Sequence, residues 1–467
     1  MVRIFKHYVP TSLLLLGIFE SLLLMSALFL ADAFLGPLLQ DVDSTVIHLT
    51  SPDFSHASLL FLVVFGALMA MGLYRRRLSC KAGDWLSRTT LAFLVGGLVV
   101  YGIFSLMPGV TLDWGIVWTA IFISFIGVVF FRFIFSMVAD KKYLNRRILV
   151  LGTGEMALEV TKLRRKSDYR GCAIIGFVNV SDEEELVERG RILKKEGSLF
   201  ELVEANFIDE LVVAVIDQHK TLPVDELLEC KVRGVRVIDL PYFFERQLGL
   251  LRLDIISPDW IVFSDGFKSG LLKDVIKRSV DLGVSLAMLL IVWPIMLLTA
   301  MVIFISSKGR GTVFYKQLRV GEMGVPFEVI KFRSMRMDAE KNGAQWASEN
   351  DNRVTTVGKF IRKTRIDELP QLINVLRGDM SFVGPRPERP EFVEQLAENI
   401  PYFNDRHMVK PGITGWAQIG YPYGASEDDS RKKLQYDLYY VKNYSLFLDF
   451  TIIMQTAEVI LWGRGAR

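Results

Sequence analysis

Cysteine is nearly absent: Cys80, Cys172 and Cys230 are the only three in 467 residues, and no two form a CxxC. That excludes a disulfide framework and leaves reduced cytosolic thiols as the default. Histidine is scarce as well. His7, His48, His56, His219 and His407 are scattered, and no zinc-ligand spacing joins them. No GxxxxGK followed by Ser or Thr occurs, which argues against a P-loop triphosphatase. No tyrosine stands four residues before a lysine, so the YxxxK pair usual in nucleotide-sugar oxidoreductases is missing. Charges of the two signs nearly cancel, to +3, so their distribution says more than their sum. Nucleic acid is not expected as a partner.

Apolar residues are abundant. Hydrophobic types make up 51% and mean hydropathy is +0.30, yet 23% of residues are charged, which fits a membrane region joined to soluble domains. Four apolar segments fall near residues 11–30, 57–73, 89–107 and 114–135, each close to the ~20 residues a membrane helix needs. The first follows Arg3 and Lys6 like a signal peptide, but no clean small-residue cleavage site comes after it, so it reads as a retained helix. The connection 31–56 holds Asp32, Asp41, Asp43 and Asp53 and no Lys or Arg. The connection 74–88 holds Arg75, Arg76, Arg77, Lys81 and Arg88, and Lys141, Lys142, Arg146 and Arg147 follow the fourth segment. The positive-inside rule then puts both ends of this region in the cytoplasm. Glu20 is the one acid within a span, and the sequence assigns it no role.

Residues 147–151 read as a buried strand, followed by Gly152-Thr-Gly154 and Ala157 and then a helical pattern. Further apolar runs alternate with helices, as in a Rossmann-like α/β domain. GxGxxA can seat a dinucleotide phosphate. The nearest acid after the second strand is Asp182, a poor match to the fingerprint, so a bare strand–turn–helix junction is the stronger reading of Gly152, Gly154 and Ala157.

A fifth apolar segment, residues 280–305, differs in kind. Lys268, Lys273, Lys277 and Arg278 precede it, Lys308, Arg310, Lys316 and Arg319 follow it, and Pro294 sits in its middle. Two basic flanks and a helix-bending proline suggest a segment that dips into the membrane and returns to the same face. A tilted, kinked span is the alternative.

Beyond it, residues 313–320 and 326–332 look like a hairpin ending in Lys331-Phe-Arg333, two cations suited to phosphate or to a solvated edge. Then comes Lys359-Phe-Ile-Arg362-Lys-Thr-Arg365-Ile-Asp367-Glu368-Leu-Pro370, with Pro385-Arg386-Pro387 further on. An adjacent acid pair in a cationic field suits metal-assisted chemistry on a phosphate, with Mg²⁺ relieving the repulsion between carboxylates. Taken alone, the same residues are also a surface ion cluster.

The motifs FYKQLRVG, KFRSM, RIDELPQLINVLRGDMSFVGPRPE and KPGITGWAQI, in that order, resemble the bacterial polyprenyl-phosphate hexose-1-phosphate transferases, the monotopic phosphoglycosyl transferases. The resemblance covers about residues 273–462, and more loosely the large subfamily with four N-terminal spans. It implies Asp367 as a nucleophile, Glu368 as a Mg²⁺ ligand with Asp367 beside it, Arg362 as a phosphate ligand, and Pro385, Arg386 and Pro387 in nucleotide binding. It implies a basic membrane motif at Lys277, Arg278 and Asp281, with Lys277, Arg278 and Lys308 as candidates to recruit the lipid phosphate, and a helix break at Pro294. Trp293 and Arg365 stand where many members have Ser. The implied substrates are a UDP-hexose and undecaprenyl phosphate, on the cytoplasmic side of a bacterial inner membrane, and large relatives suggest a homodimer. The expected plan is a membrane protein of α plus α/β class. Residues 1–140 would form four membrane helices, 141–266 a Rossmann-like domain, and 267–467 a re-entrant helix with a small, mostly helical α/β catalytic domain. A non-catalytic membrane scaffold would explain the spans but not the segment rich in acids and bases.

Overall fold

A computed structural model describes residues 2–4, 6–40, 52–74, 82–106, 113–138, 145–163, 168–169, 171–180, 184–215, 222–267, 270–339, 351–421 and 426–461. Arg75, Arg76, Arg77, Lys81, Lys141, Lys142, Asp182 and Lys268 lie outside the described residues, as do Asp41 and Asp43. The chain forms two compact units, Met1–Ile4 with Tyr8–Leu248, and Phe5–His7 with Gly249–Arg467.

The first unit holds helices α1 (Thr11–Gln40), α2 (Phe54–Ala70), α3 (Ala82–Leu106) and α4 (Trp114–Val138). Long runs of Leu, Phe, Val and Ile sustain them. Asp53 starts α2 by accepting from the amides of Ser55 (2.9 Å) and His56 (3.0 Å), which satisfies two orphan donors. Helices α1, α3 and α4 are long and apolar enough to cross a membrane, whereas α2 has only 17 residues. Leu24, Leu28, Leu60, Val64, Leu68, Val100 and Val128 close the space between the four. Glu20, which looked isolated in sequence, is buried against α4. Its carboxylate accepts from Arg132 at 2.7 Å and from the Tyr74 hydroxyl, so this buried acid is paired.

The same unit contains a four-stranded, fully parallel sheet in the order Cys172–Val178, Arg146–Leu151, Glu210–Val213, Arg236–Asp239. Leu149, Leu151, Val178, Leu211 and Val213 are buried in it beneath Leu199 and Val203 of a flanking helix, as a parallel sheet with covered faces requires. Gly152 follows the first strand at φ 123°, where an added Cβ would lie 2.3 Å from the Ala214 carbonyl oxygen. This close approach accounts for the glycine by packing. Gly154 caps a helix of only seven residues whose first residue is the acid Glu155, and Ala157 is buried beneath it. The Thr153 carbonyl between the two glycines accepts from the amides of Leu186 (2.9 Å) and Val187 (3.2 Å).

The second unit holds a short helix, Pro258–Phe263, and then a 36-residue helix, Leu271–Ser306, which stays helical through Pro294, so the expected break is absent: the proline removes one backbone hydrogen bond without ending the helix. Two stripes run along it at helical spacing. Asp281 and Ser285 are buried, and Val284, Met288 and Val292, then Met296, Ala300 and Ile303, pack on the unit's own hydrophobic clusters. Leu282, Leu286, Leu290, Trp293, Leu297, Met301 and Phe304 form the other stripe and are exposed. The helix therefore touches the globular part along one side and leaves most of its apolar surface uncovered, and it too is long and apolar enough to cross a membrane. The hairpin follows as antiparallel strands Phe314–Val320 and Pro326–Phe332. Helices Thr356–Lys363 and Gln371–Arg377 frame a single 3₁₀ turn, Ile366–Glu368. A two-stranded parallel pair joins Ser381–Val383 to Gly412–Thr414, and helices Glu427–Asn443 and Leu446–Leu461 close the unit.

Candidate active site

The acid pair lies where one helix stops and the next begins. Thr364 ends the first helix, and Arg365 takes the left-handed conformation (φ 59°), which turns the chain into the 3₁₀ turn. Pro370 then caps Gln371–Arg377, where its missing N–H costs nothing. That helix is tied to the hairpin by Asn374. Its side-chain amide donates to the Glu328 carbonyl (2.7 Å) and accepts from the Ile330 amide (3.0 Å), completing the strand's backbone bonding. Strand alternation then turns Lys331 away from the buried Ile330 and Phe332 and over the acids.

Glu368 is buried, and one oxygen takes three cations. Oε1 accepts from Arg386 Nη2 at 2.6 Å and Lys331 Nζ at 3.2 Å, with Arg365 Nη1 at 3.8 Å. Burial alone would raise this carboxyl. Arg386, Lys331 and Arg365 outweigh it and hold Glu368 well below the usual carboxylate range. Asp367 differs. It is also buried, but its Oδ1 has no hydrogen-bond partner among the described residues. Burial first, then the Glu368 charge, push its carboxyl up to about 6. Two neighbouring carboxylates thus have opposite characters, one a fixed anion and one a poorly solvated group facing no donor.

The two acids fit a divalent cation of the Mg²⁺ kind. Mg²⁺ takes oxygen ligands, and with nucleotide substrates it uses one or two carboxylates plus phosphate oxygens. Asp367 Oδ1 is unpartnered, and the described contacts of Glu368 all fall on Oε1, which leaves Oε2 as a second donor. No cluster of three or more His, Cys, Asp or Glu occurs among the described residues, so the remaining ligands would come from substrate or water.

The other sequence candidates divide. Lys331 and Arg386 reach the acid pair. Pro385 and Pro387 hold the backbone on either side of Arg386, and Gly384 and Gly412 leave it no slack. A Cβ on Gly412 would lie 2.0 Å from the Gly384 nitrogen. Arg362 is half-buried in the last helical turn, with no hydrogen bond to either carboxylate among those described. Arg333 turns elsewhere because the strand ends at Phe332, and its guanidinium donates to the Arg310 carbonyl at 3.2 Å. Lys277 is enclosed rather than presented to a ligand: its Nζ meets Asp449 (2.8 Å), the Val383 carbonyl (3.2 Å) and Asp281 (3.5 Å). Arg278 caps the helix Gln371–Arg377 through the carbonyls of Val375 (2.5 Å) and Leu376 (2.8 Å). Both basic residues fasten the long helix to the domain.

His407 is a buried group with a consequence for stability. Burial, then the Arg406 charge, lowers its imidazole from 6.5 to about 4, and its Nε2 lacks a partner among the described residues. The unfolded chain binds this proton more readily than the fold, so stability is lost as pH falls from about 6.5 toward 4. The full loss is about 3 kcal/mol, at roughly 1.36 kcal/mol per pH unit of displacement. Thermal melts of wild type and His407→Phe between pH 7 and 4.5 should diverge, the variant losing less. Parallel curves would refute this.

A carboxylate pair under a cationic roof, on a unit carrying a long apolar helix, is the arrangement that an enzyme acting on phosphate at a membrane would need. Residues 272–463 match the family model for bacterial sugar transferases. A UDP-N-acetylgalactosamine-undecaprenyl-phosphate N-acetylgalactosaminephosphotransferase of Aeromonas hydrophila is 50% identical over 241 residues, 52% of this chain and 56% of that protein, so the chain matches little more than half of it. A UDP-glucose:undecaprenyl-phosphate glucose-1-phosphate transferase of Klebsiella pneumoniae is 44% identical over 67% of each chain. A UDP-galactose-lipid carrier transferase of Erwinia amylovora is 31% identical over 71% of this chain and 73% of its own. The chain belongs to the bacterial sugar transferase family, the polyprenyl-phosphate hexose-1-phosphate transferases.

Proposed function

We propose that the protein transfers a hexose 1-phosphate from a UDP-hexose to undecaprenyl phosphate, at the cytoplasmic face of a bacterial inner membrane. The observation that carries this is Asp367 Oδ1, buried and without a described partner beside a Glu368 already neutralised by cations. Asp367 attacks the sugar-bearing phosphorus of the UDP-hexose. The bond to the bridging oxygen breaks, UMP leaves, and the phospho-sugar stays on the carboxylate. An oxygen of undecaprenyl phosphate then attacks the same phosphorus, and Asp367 is released as the free carboxylate. Lys331, Arg365 and Arg386 gather at Glu368 and would place positive charge beside the diphosphate. When bound by Asp367 and Glu368, Mg²⁺ would supply neutralisation of phosphate charge.

The helix Leu271–Ser306 is read as re-entrant. At 36 residues it is about 54 Å long, more than the roughly 30 Å hydrocarbon core. Asp281 near one end is bonded to Ser381 (3.1 Å) and the Phe382 amide (3.0 Å), while Ile303 near the other packs with Phe332 and Ile361. Both ends thus belong to one globular unit, which favours a return to the same face through a bend at Pro294 that leaves the helix unbroken. The lipid phosphate at that interface is then within reach of a cytoplasmic carboxylate.

Membranes containing the protein, supplied with Mg²⁺ and UDP-glucose, UDP-galactose or UDP-N-acetylgalactosamine, should release UMP with at least one donor. Undecaprenyl phosphate should raise the yield. No release from any of the three would favour a non-catalytic scaffold.

A further inference from the structure

The Pro385-Arg386-Pro387 corner is held through its own three consecutive carbonyls, each accepting from a donor on a different element. Pro385 accepts from the Gly412 amide (2.9 Å), Arg386 from Arg406 Nη2 (2.8 Å) and Pro387 from Arg319 Nη1 (3.0 Å). Arg406 is the buried member, 6% exposed, on the 3₁₀ segment Phe403–Met408. The same guanidinium pairs with Asp437 at 2.8 Å, itself 2% exposed on the helix Glu427–Asn443, and it lies 5.1 Å from the centre of the Phe403 ring. Arg386, whose backbone Arg406 holds, is the residue whose side chain reaches Glu368 at 2.6 Å.

We infer that Arg406, with Asp437 as its buried counter-ion, is a positioning residue for the transfer reaction: it fixes the Arg386 backbone so that the Arg386 guanidinium stands over Glu368. This rests on the reading of Glu368 and Arg386 as parts of the phosphate site. A long arginine side chain reaches a fixed point only if its own Cα is fixed. A planar, always charged guanidinium bonds a carbonyl and a carboxylate at once, here both through Nη2, which an ammonium does with less directionality. Burying such an ion pair is a poor source of net stability, because desolvation offsets the attraction. The orientation of the corner gives the pair a purpose that stability does not.

The test separates position from fold. Removing Arg406 alone would strand the Asp437 charge, so the first variant replaces both, Arg406→Met with Asp437→Leu. It should keep the wild-type melting temperature to within a few degrees and lower kcat/KM for UMP release by roughly 30- to 100-fold, as loss of one placed charge does. The second variant, Arg406→Lys, keeps a charge for Asp437 and should lose about tenfold. Adding the Met/Leu pair to Arg386→Ala should cost no more than about a further threefold, since Arg406 acts through Arg386. Full activity in the paired variant, or losses that multiply in the triple variant, would overturn the inference while leaving the site reading intact. Unchanged UMP release in Arg386→Ala would overturn both.

Discussion

Asp367→Asn is expected to lower turnover by at least roughly 1,000-fold, because it removes the nucleophile and not merely a neighbour. The amide is nearly isosteric and uncharged. Asp367 is buried with its carboxyl already pushed up to about 6, so the neutral replacement should leave the melting temperature unchanged or higher. The check is a radiolabelled UDP-hexose: wild type should retain label on the protein after denaturation and release UMP, and the variant should do neither. Turnover within tenfold of wild type would remove Asp367 from the mechanism. Glu368→Gln provides the contrast. It takes the anion from beneath Arg386, Lys331 and Arg365, so a smaller loss, about 100-fold, is expected, together with a higher Mg²⁺ requirement.

The second large effect is all-or-none and concerns the long helix. In a variant with Cys80, Cys172 and Cys230 replaced, single cysteines at Asp265 and Arg310 bracket Leu271–Ser306. A membrane-impermeant maleimide should label both in inverted inner-membrane vesicles and neither in right-side-out vesicles. Opposite labelling of the two positions would make the segment a span and defeat the re-entrant reading. The two stripes predict the same-side result. A helix whose one flank packs on a single globular unit from Asp281 to Ile303 would have to drag that unit's charged surface through hydrocarbon to cross.

The acid pair was legible because its features are local. Asp367 and Glu368 are adjacent in sequence, Pro370 marks the next helix, and the cations of the neighbouring segment announce a phosphate-like field. Lys331 and Arg386 were legible as charges in patterned motifs. Arg333 looked equivalent to Lys331, yet the strand stops between them and the two side chains part. Lys277 and Arg278 looked like ligands for a lipid phosphate and are instead bonded to carbonyls and acids within the domain. Asn374, Arg406 and Asp437 carried no signal, and Arg319 read only as flanking charge, because each acts on a partner brought near only by the fold.

The sequence by itself determined the apolar helices, the parallel strands of the first unit, the family and the two carboxylates, since each rests on runs or spacings of neighbouring residues. Only the tertiary structure decided which carboxylate is the fixed anion and which stands unpartnered. That difference comes from where Lys331 and Arg386 arrive, 37 residues before Glu368 and 18 after it, and from burial that raises one carboxyl while three cations lower the other.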